Sequence, residues 1–286
     1  MKKSEIISCS RRTDIPAFLM NWVIEKIKNG FVEVVNPYNK NQVSKVSLDP
    51  NDVKCWVWWS KDFSDWIRYY KTYKDLFTKY KGHSFQFTIN SPSELESNLN
   101  VSIQERLDQL DWLVTHFGKI AVNYRFDPII IYNKKGSDKI RSNLSEFESI
   151  ISKVSKLGLN ELIFSFATPY AKVKRRMHAR GYSLIDPPLK KKRAILERLL
   201  KICEKYNLEM RACCQPDLLS IEGIQQAQCI DAFKIERIIG ERIKKQKDNA
   251  QRDACGCYKS KDIGGYNGVF KCKHNCIYCY ANPSRK

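Results

Sequence analysis

The chain has 286 residues, of which 43% are hydrophobic and 12% aromatic, and its 50 Lys and Arg against 31 Asp and Glu give a formal net charge of +19. This apolar content supplies a sizeable core, suited to one large α/β domain or two small ones. No run of about 18 or more apolar residues is present to span a membrane, and the opening MKKSEIISCSRRTD lacks the apolar stretch of a secretion signal, so the expected compartment is the cytoplasm.

Strand and helix patterns alternate along the chain. IISC (residues 6–9) reads as a strand and is followed by the polar SRRTDIP and the helical pattern FLMNWVIEKIKNG. Further strands are predicted at VEVV (32–35), VKCWVWW (53–59) and SFQFTI (84–89), before the helical ERLDQLDWLVTHFG. KIAVNY (119–124), ELIFSF (161–166) and LEMRA (208–212) follow, separated by the helical patterns NLSEFESIISKVSKLG and KKRAILERLLKICEKYN, with an eighth strand near CIDAF (229–233). Seven or eight such units predict an α/β fold of TIM-like (β/α) barrel type, with a doubly wound open sheet as the alternative. Near residue 245 the composition changes, so residues 1–245 are the expected barrel and 246–286 a Cys-rich tail.

Polar segments directly follow the predicted strands, where a barrel collects its catalytic groups. SRRTD supplies Arg11, Arg12 and Asp14. The arginines suit a carboxylate or phosphate through bidentate hydrogen bonds; equally, Asp14 suits an ion pair or the cap of the next helix. RFDP supplies Arg125 and Asp127, which project to one side of an extended chain, although Asp before Pro is also a common turn starter. CCQPD supplies Gln215 and Asp217. After VKCWVWW, Trp59 and Lys61 are candidates to meet an adenine or nucleobase, against the commoner fate of strand tryptophans in a core.

Charge and histidine add little by themselves. The net charge of +19 would draw nucleic acid, with the run KVKRRMHAR (172–180) and KKKR (190–193) as the best patch. Solvated helix faces and biased codon usage account for the same lysines. His83, His116, His178 and His274 are isolated in the sequence, and no HxxxH, P-loop or GxGxxG occurs, which argues against a standard metalloprotease, nucleotidase or dehydrogenase.

Eleven cysteines accord with a reducing compartment, where clustered thiols more often bind metals than pair as disulfides. Five fall in the tail, at Cys255, Cys257, Cys272, Cys276 and Cys279. The last three stand as C-x3-C-x2-C, which resembles the cluster loop of radical S-adenosylmethionine proteins such as spore photoproduct lyase. That resemblance covers about ten residues of this chain and implies a [4Fe-4S] cluster on Cys272, Cys276 and Cys279. It further implies an open iron for S-adenosylmethionine, Tyr278 against the cofactor's adenine, and an electron donor such as flavodoxin or ferredoxin. Two departures are plain: no Gly-Gly-Glu segment follows, and seven residues remain after Cys279. The barrel is therefore expected upstream, with the tail folding back over its mouth, in an outline similar to thiamine pyrimidine synthase.

Whether Cys255 or Cys257 closes the cluster, forms a second small site or stays free is open, and zinc is the alternative metal. With a closed or zinc-bound tail, the alternative function is nucleic-acid binding. The motifs SCSRRTDIP (8–16), NPYN (36–39), RFDPI (125–129) and the ending CGC…SKDIG…CxxxCxxCYAN identify the chain as resembling domain-of-unknown-function family 1848 nearly end to end. That family implies no reaction.

Overall fold

The computed structural model describes residues 5–36 and 39–281. Pro37 and Tyr38 of the NPYN motif and Asn282 of the closing motif lie outside the described residues. Eight parallel strands form the main sheet: β1 (Glu5–Cys9), β2 (Val53–Ser60), β3 (His83–Thr88), β4 (Val122–Ile129), β5 (Glu161–Phe166), β6 (Glu209–Ala212), β7 (Ile224–Gln226) and β8 (Lys261–Asp262). Their order in the sheet is β7-β6-β5-β4-β3-β2-β1-β8. Each strand through β7 thus adds to the edge left by its predecessor, and β8 returns to the free edge of β1, where Ile7 pairs with Lys261 and Ser8 with Asp262. The tail is therefore part of the sheet.

Alternation of side chains sorts the strand residues onto two faces. On β2, Trp56 and Trp58 stack at 4.9 Å inside the main apolar core beneath the helices. Cys55 and Val57 point the other way, into a second cluster with Ile6, Ile163, Cys229 and Cys257, against which Trp59 packs. The helix Ala232–Ile239 also belongs to this second face through Ile235, and Lys234 anchors it to Asn123 and Glu161 at the starts of β4 and β5. The helices are locally specified. Ile103–Phe117, for example, opens on a reciprocal capping box between Ser102 and Glu105.

Two expected strands are corrected. VEVV does not enter the main sheet: Phe31–Asn36 pairs antiparallel with Asn39–Ser47 as a separate hairpin, whose alternating pattern is the same as that of a half-buried sheet strand. CIDAF is not a strand, because Asp231 caps the helix Ala232–Ile239 by accepting from the amides of Phe233 and Lys234. Ile224–Gln226 and Lys261–Asp262 instead complete the sheet, one at each end of the strand order. The other predicted strands overlap the observed ones, KIAVNY least closely, starting three residues early and ending five short of Val122–Ile129, and ELIFSF matches Glu161–Phe166 end to end.

A buried histidine ties stability to pH. His83 Nδ1 accepts from Trp58 Nε1 at 3.1 Å and its Nε2 lies 3.1 Å from the carbonyl of Phe77, the pattern of a neutral ring protonated at Nε2. Burial pushes its pKa from 6.5 down to about 4. The unfolded chain therefore binds a proton that the folded chain refuses between those values. Stability is fully present above pH 6.5 and falls by up to about 3 kcal/mol as the pH drops through 4. A urea titration series from pH 7 to pH 4 checks this, and the slope flattens in His83→Gln.

Candidate metal centre

Two carboxylates, Asp262 and Asp14, anchor the tail to the loop after β1. Asp262 Oδ1 accepts from Ser10 Oγ at 2.7 Å and from the Gly264 amide at 3.0 Å; Oδ2 accepts from Ser8 Oγ at 3.0 Å and the Arg11 amide at 2.8 Å. The SCSRR and SKDIG motifs thus meet at Asp262. Gly264 is required by this approach, because a Cβ there would sit 2.1 Å from Ser10 Oγ. Arg12 donates to the Gly264 carbonyl at 3.1 Å and lies over the Tyr266 ring. Asp14 makes a second anchor. Its carboxylate accepts from the Ala17 amide, Ser60 Oγ and the Lys61 amide, and pairs with His274 Nε2 at 2.9 Å. With its lone-pair directions occupied, Asp14 both caps a short helix and holds the cysteine loop.

The loop of Cys272, Cys276 and Cys279 consequently lies against segments that follow β1, β2, β3 and β5. Asn275 takes a left-handed φ of 52° in the turn between Cys272 and Cys276. The three thiols are close enough for each to feel another's charge. Burial pushes Cys272 up to about 12, with the Asp14 carboxylate adding to the rise, while the backbone amides of Asp14 and His274 favour its thiolate. Cys276 rises through burial and then Glu96, and Cys279 through burial despite Arg176, Lys61 and Lys172. Unmetallated, these thiols hold their protons, and a metal would displace them.

Glu96 organises the apolar side of this loop. It is buried, pairs with Lys61 Nζ at 2.9 Å and accepts from the Tyr278 hydroxyl. Burial works against the Lys61 ammonium, yet Glu96 and Cys276 outweigh it and hold its pKa above the usual lysine range. Burial likewise opposes the Glu96 carboxylate, but Lys61 and Tyr278 keep it below the usual range. Glu96→Gln leaves a buried ammonium without its counter-charge. We expect a loss of about 3 kcal/mol in urea unfolding, whereas a loss under about 0.5 kcal/mol would show the pair to be dispensable. From the other side, Arg176 donates to the carbonyls of Ile277 at 3.1 Å and Cys279 at 2.5 Å. The helix Ala171–Ala179, whose sequence is the basic run, thereby clasps the loop.

A second group of side chains lies nearby. Arg125 pairs with Asp127 at 2.5 Å, donates to Cys229 Sγ at 2.9 Å and lies over the Trp59 ring, which Arg11 also covers. Trp59 donates to Ser8 Oγ at 3.1 Å. Asp127 accepts from Ser165 as well. Cys255 and Cys257 belong here and not with the last three cysteines, since they share an apolar cluster with Cys229, against which Trp59, Cys213 and Cys214 pack.

The candidates therefore divide. Lys61, Tyr278, Asp14, Cys272, Cys276 and Cys279 are brought together; Arg11, Trp59, Arg125, Asp127, Cys255 and Cys257 form the neighbouring group. Arg12 packs on the tail backbone. Asp217 joins neither group and is exposed in the turn Pro216–Ser220, and Gln215 is occupied by the backbone of Phe166 at 2.7 and 3.1 Å. Sequence reasoning missed Glu96, Asp262, Arg176 and His274, the last because its partner Asp14 is 260 positions away. A signal for Glu96 existed, a carboxylate in the polar segment after β3.

Among the described residues, no three His, Cys, Asp or Glu side chains are arranged to hold a single metal ion. Zinc with sulfur at about 2.3 Å demands such convergence. A cube of four irons spaces its thiolates on separate irons, and three cysteines are the donor type that such a cube takes. No helix of the described residues is long and apolar enough to cross a membrane. No curated protein matches the chain. Residues 6–281 match the profile of one family, and the chain belongs to it: Domain of unknown function (DUF1848).

Proposed function

We propose that this chain is an iron–sulfur enzyme of radical S-adenosylmethionine type, built on a TIM-like barrel closed between β7 and β8. The strand order supports the barrel, because β1 is flanked by β2 and by the last strand, as cyclic succession requires. The observation that carries the function is the division of the tail thiols. Cys276 and Tyr278 belong to one apolar cluster, against which Cys279 packs, with Cys272 in electrostatic reach of both cysteines, while Cys255 and Cys257 belong to another cluster with Cys229, against which Cys213 and Cys214 pack. Three thiolates leave one iron of a [4Fe-4S] cluster open to a cofactor.

Bound there, the cluster and S-adenosylmethionine supply reductive cleavage to methionine and a 5′-deoxyadenosyl radical, with one electron from a donor such as flavodoxin or ferredoxin. The chain's own residues hold and shape the site. Asp14 and Arg176 fix the loop from opposite sides, and the Lys61–Glu96–Tyr278 set keeps its apolar side charged and ordered. Arg11, Arg125, Asp127 and Trp59 offer cationic and aromatic groups to a substrate at the same strand ends. The charge of +19 favours a nucleotide or nucleic acid as that substrate. The test is anaerobic incubation of reconstituted, dithionite-reduced protein with S-adenosylmethionine, followed by mass spectrometry. Formation of 5′-deoxyadenosine and methionine is expected; a loaded cluster that forms neither would overturn the reading.

A further inference from the structure

We propose that Cys213, Cys214, Cys229, Cys255 and Cys257 form a second thiolate site, which holds a fully ligated iron–sulfur cluster distinct from the one at Cys272, Cys276 and Cys279. The five thiols meet in one region: Cys229, Cys255 and Cys257 belong to one apolar cluster, and Cys213 and Cys214 pack against it. Cys213 and Cys229 Sγ stand 3.5 Å apart. Unrelated parts of the chain deliver them: Cys213 and Cys214 directly after β6, Cys229 after β7, and Cys255 and Cys257 from the tail. All five are free thiols.

The backbone is shaped to bring them together. Cys214 adopts φ of 54°, a region that residues other than glycine rarely occupy and that recurs at functional sites. Between Cys255 and Cys257, Gly256 passes so close to the chain after β7 that a Cβ would lie 3.0 Å from the Ala227 carbonyl. Scattered structural cysteines need neither device.

Charge and placement select the ligand. Four thiolates on a [4Fe-4S] core carry net negative charge, and three guanidinium groups act on these cysteines. Arg125 donates to Cys229 Sγ at 2.9 Å, Arg11 acts on Cys257 and Cys229, and Arg252 acts on Cys214 and Cys213. Structural zinc stabilises small units that lack a core. Here the thiols join an apolar cluster that is already packed. A surface depression of about 300 Å³, lined by Gln226, Gln228, Lys247, Asp253 and Tyr258, opens on Cys255 and gives iron and sulfide a route in. With five thiols for four irons, one is spare.

The site rests on different residues from the radical reading, and iron analysis separates the two. Anaerobically reconstituted wild-type protein is expected to hold about eight iron and eight sulfide per chain, and the Cys272→Ser/Cys276→Ser/Cys279→Ser variant about four. Cys229→Ser/Cys257→Ser is expected to lose about four while keeping any response to S-adenosylmethionine. Wild-type protein with about four iron, all lost in the triple variant, overturns the second site; so does zinc in place of iron in that variant. If wild-type and triple variant both hold about four, the second site stands and the tail reading fails. Because the wild-type and triple-variant values decide the matter, a Cys229→Ser/Cys257→Ser protein that does not fold leaves the result intact.

Discussion

Cys276→Ser is expected to lower 5′-deoxyadenosine formation at least about 100-fold and to remove about four iron per chain. Of the three loop cysteines, Cys276 is buried, at 6% exposure, while Cys272 and Cys279 are half-buried, and Lys61 and Glu96 act on its thiol. A serine hydroxyl at that place keeps the shape but ionises far less readily than a thiol, so it cannot supply the anionic soft ligand that iron needs. The ammonium of Lys61 and the carboxylate of Glu96 remain paired in the variant, so the fold persists and the loss is one of ligation. Cys203 provides the control: it is equally buried but sits in the main core among helix and strand residues. Cys203→Ala is expected to cost about 1 kcal/mol of stability and no iron. Full iron content and undiminished 5′-deoxyadenosine in Cys276→Ser would remove the loop from the mechanism.

Asp262→Ala carries the largest expected effect on stability, about 4 kcal/mol in urea unfolding at neutral pH. Its carboxylate collects two serine hydroxyls and two backbone amides, with the Arg12 guanidinium at 4.0 Å. The hydroxyls can turn elsewhere, but the amides of Arg11 and Gly264 cannot, and each buried donor left without an acceptor costs about 1–3 kcal/mol. The same change frees β8 from β1 and so slackens the route by which the tail reaches both cysteine groups. Iron retention should therefore fall together with stability, whereas Asp262→Asn, which keeps one acceptor oxygen, should lie between. A cost under about 1 kcal/mol would mean that the tail is held by other contacts.

The parts of this architecture that depend on local pattern were legible in the sequence, and those that depend on distant pairing were not. ELIFSF and VKCWVWW declare themselves by β-branched and aromatic content, and the faces of β2 follow from alternation. VEVV has the same pattern but ends in a hairpin, since alternation says that a strand is half-buried without saying which sheet it joins. Lys261–Asp262 has no apolar signal; it is a strand because its backbone pairs with β1 and its carboxylate gathers a loop some 250 residues earlier. Spacing along the chain picked out Cys272, Cys276 and Cys279 as one loop. It could not link Cys213, Cys214 and Cys229 to Cys255 and Cys257, which meet only when β6, β7 and the tail converge. The SCSRRTD stretch reads in sequence as a ligand grip, and in the fold most of its polar atoms are engaged in holding the tail.

Electron paramagnetic resonance of the reduced, anaerobically reconstituted protein tests the central claim most directly. With and without S-adenosylmethionine, the account predicts a reduced-cluster signal that shifts on adding the cofactor, and whose shifting component disappears in Cys276→Ser. A signal unchanged by the cofactor, or a protein that takes zinc and gives no cluster signal, would contradict it.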